Sequence, residues 1–285
     1  MKRRRLYTES DCPAGMANAT ERVLTVTLPA GQTYIDVSAI AGRANQRLYR
    51  QGMLYTMSVS YQGNNPPGAQ GQVEITHLPN NWSTRKAHQL ARKMWLESTK
   101  DERDHGARFG RWNDFRVYMD ATHTGANNLN TPFGSAGLGS GEILFTNAVR
   151  QDTGALVEYQ FLGTTSGTRF GMLHEYDRMA DTDTDTPATG SNSMAYRTLM
   201  AELTNEQADQ IQEEGDNPPY DPESLVNNIV LPSYIIGHPA VSNRHTTPSM
   251  HVPAGLLSVV NRGDAQLINI TLKAGSYKGV AAEVL

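Results

Sequence analysis

A chain of 285 residues with 38% apolar and 19% charged side chains has a globular composition, and its Gly, Pro, Thr and Asn content favours turns over long helices. Its 25 basic and 29 acidic residues give a net charge of −4; without the run Lys2-Arg3-Arg4-Arg5 the balance is 21 against 29, or −8, so positive charge is local and not global. The single cysteine, Cys12, excludes an internal disulfide, and no run reaches the ~20 apolar residues of a membrane-spanning helix.

Residues 1–20 read as a short basic, flexible arm and 21–285 as one domain with insertions. The single cysteine fits synthesis in the cytoplasm or nucleus, and because the arm lacks the apolar h-region of a secretory signal the sequons at Asn18, Asn81 and Asn269 read as chance matches. RVLTVTL (22–28) alternates apolar and polar residues, PAG turns the chain, and TYIDV (33–37) alternates again, the pattern of a hairpin. A second pair of strands follows at 52–62 and 71–78, separated by GNNPPGAQ, which cannot continue a ladder. The period then changes. Ala87, Leu90, Ala91, Met94 and Trp95 fall at helical spacing, predicting a helix over 85–100 with Ser83 or Thr84 as N-cap.

RWNDFRVYMD (111–120) returns to strand character, and a Gly/Asn/Thr loop runs to about Gly141. EILFTNAV (142–149) and ALVEYQFLG (155–163) predict a hairpin across QDTG. The segment 178–193 is almost free of apolar residues and reads as a surface loop, and 202–214 reads as a short acidic helix. Strands are expected at 227–237, 255–261 and 265–272, the last two joined by the tight turn Arg262-Gly263-Asp264. Short strands, turn signals and long insertions, with no fixed-period repeat, predict a mainly β fold: a single antiparallel jelly-roll sandwich with one or two inserted helices and long surface loops, an immunoglobulin-like sandwich being the alternative.

No pattern signals an enzyme. There is no G-x-S-x-G, Cys12 lies in the arm, and His238, His245 and His251 cluster in a Pro-rich loop without metal-ligand spacing. Asp181, Asp183 and Asp185 have the spacing of half a calcium loop; Thr186 replaces the turn glycine and Asn192 the bidentate Glu, which excludes an EF-hand but leaves Ca²⁺ capture at a subunit contact as an expectation. Charge is segregated: nine Lys/Arg face five acids between Arg85 and Arg116, whereas Thr198 to Asn243 holds eight acids and no Lys or Arg. Two solvated faces would give this, and so would a basic helix of one subunit meeting the acidic segment of another, a contact that high salt weakens. Trp95, Trp112, Phe115 and Tyr118, beside Arg92, Lys93, Arg111 and Arg116, could stack on single-stranded bases; Trp112 and Phe115 do not share a strand face, so core packing is the preferred reading.

MHVPAGLLSVVNRGD and RWNDFRVYMD, chiefly Val252 to Val260 and Trp112 to Asp120, resemble the capsid proteins of small circular, replication-initiator-encoding single-stranded DNA viruses. The resemblance implies a jelly-roll subunit that assembles with itself, roughly sixty copies in an icosahedral shell. It also implies a single-stranded DNA genome bound by the basic arm Lys2, Arg3, Arg4 and Arg5, with residence in the virion and, during assembly, in the host nucleus or cytoplasm. The host receptor is unknown. Loops 62–71, 121–141 and 178–193 would face outward. The arm here has four cations where such proteins carry many more, so each chain would neutralise few phosphates. The rival readings are a carbohydrate- or receptor-binding sandwich, with aromatic rings exposed on one sheet, and a cupin-like enzyme, whose His/Glu set is missing.

Overall fold

The computed structural model describes residues 19–62, 71–98, 100, 114–123, 128–129, 147–149, 156–166, 169–180, 231–237 and 245–285. In chain order the elements are β1 (Val23–Leu28), β2 (Gly31–Asp36), α1 (Val37–Asn45), β3 (Met53–Tyr61), β4 (Gln72–His77), α2 (Trp82–Ser98), β5 (Asn128–Leu129), β6 (Asn147–Val149), β7 (Leu156–Gln160), β8 (Arg169–Gly171), α3 (Met172–Ala180), β9 (Ser233–Gly237), β10 (Met250–Pro253), β11 (Leu256–Asn261), β12 (Gln266–Leu272) and β13 (Ala282–Val284). The protein is mainly β, with antiparallel sheets and few helices. Its chain divides into two compact units: Met1–Pro79, Ala126–Ala136 and Pro232–Leu285 form the first, Asn80–Gly125 and Gly137–Leu231 the second.

The first unit holds two five-stranded sheets. One runs β1-β12-β3-β10, with β13 also on β3; the other runs β5-β2-β11-β4-β9. Every pair is antiparallel except β2 with β5. β10 and β12 both pair with Met57, so they flank β3 on opposite edges, and β13, opposite Met53 to Tyr55, extends the β12 edge. Alternation sets the inner faces: Leu24, Val26 and Leu28 of β1, Ile268, Ile270 and Leu272 of β12, and Ile35, Val73, Ile75, Leu257 and Val259 of the other sheet are buried in one apolar cluster. Burying each such aliphatic side chain contributes about 1.5–3 kcal/mol. Two sheets sharing one core are consistent with a β-sandwich.

In the first unit the strands expected at 22–28, 52–62, 71–78, 255–261 and 265–272 lie where the sequence places them, Val37 opens a helix instead of ending a strand, and β10 and β13 have no counterpart in the sequence expectation; the strand partners differ from it. β1 and β2 are not a hairpin: β1 pairs with β12 and β2 with β11. The PAG turn, with Gly31 at φ +97, carries the chain from one sheet to the other. β3 and β4 are likewise in different sheets, as are β11 and β12. Pairing is nested instead, β1 with β12, β2 with β11, β3 with β10 and β4 with β9. Alternation assigns each strand a face but leaves its partner open. At the β10–β11 corner Ala254 (φ 58) and Gly255 (φ 66) are both left-handed, and the Gly255 carbonyl accepts from Val37 N at 2.9 Å.

Helix α1 was not anticipated from the sequence. Asp36 caps it: one carboxylate oxygen accepts from Ala39 N (3.1 Å) and Ser38 Oγ (2.6 Å), and the other from Gln51 Nε2 (3.3 Å).

In the second unit β6 and β7 form the expected antiparallel hairpin, and β8 joins β7 in parallel. Residues 114–120 are extended without being a full strand. Tyr118 makes a parallel bridge to Gln160, accepting from Phe161 N and donating its own N–H to Tyr159 O. Phe115, Val117 and Met119 are buried, and Arg116 between the first two is buried as well, so the segment does not alternate strictly. The surface loop expected over 178–193 overlaps α3 at its start and otherwise lies outside the described residues, as does the helix expected over 202–214.

Candidate functional site

Several residues singled out by the sequence lie outside the described residues: Lys2, Arg3, Arg4, Arg5, Cys12, Asp181, Asp183, Asp185 and His238. Among the described residues no group of three or more His, Cys, Asp or Glu side chains could hold a metal ion, and no helix is long and apolar enough to cross a membrane. His245 and His251 both serve the fold. His245 Nδ1 hydrogen-bonds Gly237 O at 2.9 Å, and His251 Nδ1 pairs with Thr56 Oγ1 at 3.2 Å across the β3–β10 ladder.

Helix α2 starts three residues before its expected position. Asn81, not Ser83 or Thr84, is the cap: its Oδ1 accepts from Thr84 N at 2.8 Å and from Ser83 Oγ at 3.1 Å. Ser83 and Thr84 are consequently buried in the first turn, and the sequon asparagine at this position is engaged in capping. The inward face is Thr84, Ala87, His88, Ala91 and Trp95; Met94, expected inside, is 47% exposed.

This face meets an aromatic cluster. Trp95 lies 5.7 Å from Phe115, Phe115 packs edge-on to Tyr159 at 5.2 Å, and Tyr159 lies 5.3 Å from Phe170. Trp95 and Phe115 are therefore core residues and offer no stacking surface, while Arg111 and Trp112 lie outside the described residues. His88 stacks on Phe161 and tilts against Phe115, and neither of its ring nitrogens finds a hydrogen-bond partner among the described residues. Burial, assisted by the Arg92 charge one turn on, pushes its pKa down to about 4. His123, whose Nδ1 accepts from Met119 N at 2.9 Å, is lowered to about 4 by burial. Such neutral, buried rings are packing elements, not general bases in contact with solvent.

The opposite face of α2 is the more open surface. Trp82, Lys86, Gln89 and Lys93 are exposed and fall at i, i+4, i+7 and i+11, one stripe along the helix, with Arg92 exposed beside it. Trp82 is 54% exposed, its indole edge-on to Tyr176 of α3 with centroids 5.9 Å apart. Lys93 and Glu97 pair at 3.9 Å, both well exposed, a contact worth little in water. Starting the helix at 85 left Trp82 out of it. An Asn ahead of the apolar-periodic run was the available signal, since Asn ranks with Asp and Ser as an N-cap.

The outer face of the β1-β12-β3 sheet is uncharged and polar along one row: Thr25 Oγ1 donates to Asn269 Oδ1 at 2.8 Å, and Ser60 Oγ to Asn269 O at 3.5 Å. The β11–β12 turn is held by Arg262 to Glu74 (2.8 Å) and by Gly263 N to Asn261 Oδ1 (3.1 Å). Neither place gathers groups for chemistry. No protein-family model, curated protein or solved structure matches this chain.

Proposed function

We propose that this chain is a structural subunit, a jelly roll that assembles with itself into a closed icosahedral shell around single-stranded DNA. The observation that carries the reading is the nested pairing, β1·β12, β2·β11, β3·β10 and β4·β9. It divides the eight strands into the sets β1-β12-β3-β10 and β2-β11-β4-β9. A long hairpin rolled over on itself gives this order, the double Greek key of viral capsid domains, lectins and cupins. The resemblance to capsid proteins adds to it. MHVPAGLLSVVNRGD spans β10, the Ala254–Gly255 corner, β11 and the turn beyond, so one of the segments that cross between the sheets lies within the residues that resemble the family.

The long connection between β4 and β9 supplies the second unit, and the strand edges offer surfaces for self-association. β1 and β9 end their sheets, with Val23 and Ile235 exposed on them. A shell needs no active site. The carbohydrate-binding alternative asks for aromatic rings exposed on a sheet; the exposed large aromatic among the described residues, Trp82, is on a helix.

Negative-stain electron microscopy of the purified chain, with the 260/280 nm absorbance ratio of the same fraction, tests the reading. Closed particles of uniform size are expected, and a high ratio would add a packaged genome. A monomer or trimer that persists at high concentration and at every salt level would overturn the shell and favour the binding module.

A further inference from the structure

We propose that the exposed stripe of α2, Trp82, Lys86, Gln89 and Lys93, is a contact for single-stranded nucleic acid. The inference rests on the shell reading for its biological ligand and adds a site that the basic arm does not include. Three features single out this face. Lys86, Arg92 and Lys93 are exposed cations within two turns, opposed on α2 only by the loose Glu97 contact, in a chain whose net charge is −4. Lys86 and Lys93 lie about 10 Å apart along the helix, at 1.5 Å per residue, on the same side. Trp82 stands at the end of the same stripe, 54% exposed and edge-on to Tyr176.

Cations alone would suit any polyanion. An exposed indole in line with them selects for unpaired bases, because a ring needs an open base face to stack on and a duplex already covers both faces of each base. Gln89, between the lysines, adds both a donor and an acceptor. With four cations in the arm, a second set on a folded helix adds phosphate contacts per chain, and a shell multiplies them across its copies. The competing occupant of a basic face is the acidic stretch of another copy, which carries eight acids together with Tyr220 and Tyr234, and the particle and oligonucleotide measurements below tell the two apart.

The test uses the full chain and fluorescein-labelled oligothymidylate, read by polarisation at about 50 and 200 mM salt, a range over which phosphate contacts are strongly screened. Charge reversal of the stripe, Lys86→Glu with Lys93→Glu, is expected to weaken binding about tenfold or more and to flatten the salt dependence. Trp82→Ala is expected to weaken it about fivefold or more with the salt slope unchanged. Replacing Lys2, Arg3, Arg4 and Arg5 by alanine should leave measurable binding that still depends on the stripe. Wild-type affinity in the reversal variant, or complete loss of binding in the arm variant, would overturn the inference. Should the reversal disturb folding, Lys86→Gln with Lys93→Gln and the oligothymidylate quenching of tryptophan fluorescence decide instead: quenching that persists undiminished in Trp82→Phe overturns it.

Electron microscopy of the same samples separates the two proposals. Particles that form normally from the reversal variant but bind less oligonucleotide support the stripe as a DNA contact. A wild type that forms no particles, yet binds through the stripe, refutes the shell alone. Loss of particles with oligonucleotide binding intact would make this face a protein contact and overturn the inference.

Discussion

The imidazole of His88 lies against the ring of Phe161, centroids 6.0 Å apart and planes 15° from parallel, with both ring nitrogens buried. A proton on this ring would be desolvated and close to Arg92. The folded pKa of about 4 lies below the ordinary 6.5, so the unfolded chain takes up the proton first. Stability is therefore complete above about pH 6.5, falls as pH drops toward 4, and loses nothing more from this group below that. The full loss is roughly 3 kcal/mol, with a similar share from His123. Urea midpoints at pH 7 and pH 4.5 should show the second unit loosening in acid. His88→Phe should shrink the difference and leave stability at pH 7 equal or higher, since the two buried ring nitrogens without a hydrogen-bond partner are then gone.

Asn261 joins two sheet crossings. Its Nδ2 donates to Leu28 O (3.3 Å) and Pro29 O (3.0 Å) where β1 passes to β2, and to Asp264 O (2.8 Å) where β11 passes to β12. Asn261→Ala should cost about 1–2 kcal/mol, because the buried Leu28 carbonyl loses its donor while the part-buried Pro29 and Asp264 carbonyls can turn to water. Asn261→Asp, which brings a carboxylate against the same carbonyls, should cost more at neutral pH. Thermal unfolding of the two variants checks the order.

Gly171 closes β8 onto β7, and a Cβ there would stand 2.0 Å from the Gly163 carbonyl oxygen. Backbone cannot step aside as a side chain can, so Gly171→Ala should destabilise the second unit by upwards of about 3 kcal/mol. Gly31→Ala is the control: nothing lies within 4 Å of its Cβ, and only the left-handed φ of +97 is penalised, about 1 kcal/mol. Limited proteolysis should show the second unit opening in the first variant and unchanged in the second.

Arg262 reaches Glu74 at 2.8 Å, but the arginine side chain is 62% exposed. Arg262→Ala should therefore cost less than about 1 kcal/mol, measured as a small shift in the urea midpoint that disappears at high salt. Ser233 Oγ still donates to the other Glu74 oxygen at 3.2 Å, which keeps the carboxylate placed.

Much of this molecule was legible residue by residue. The alternation in VLTVTL, MLYTMSVSY and QLINITL assigned β1, β3 and β12 and named the side chains that face the core. The helical spacing of Ala87, Ala91 and Trp95 announced α2. His88 was not legible as core, because an imidazole becomes an apolar neighbour only when Phe115 and Phe161, distant in sequence, close around it. Trp82 was missed for a local reason: a cap displaced by three residues left it outside the helix.

The sequence by itself determined the type of α2 and of strands such as β1, β3 and β12, because periods of two and 3.6 are properties of neighbouring residues along one chain; α1 and β10, too short to show a period, it did not announce. Which strand lies beside which was decided only in the tertiary structure. A hairpin and a crossing to the opposite sheet share the same alternation and the same turn residues, and they differ in whether a strand more than 200 positions away, β12 for β1 or β11 for β2, completes the ladder. That choice comes from the closure of a common core around all eight strands, a free energy no single segment carries.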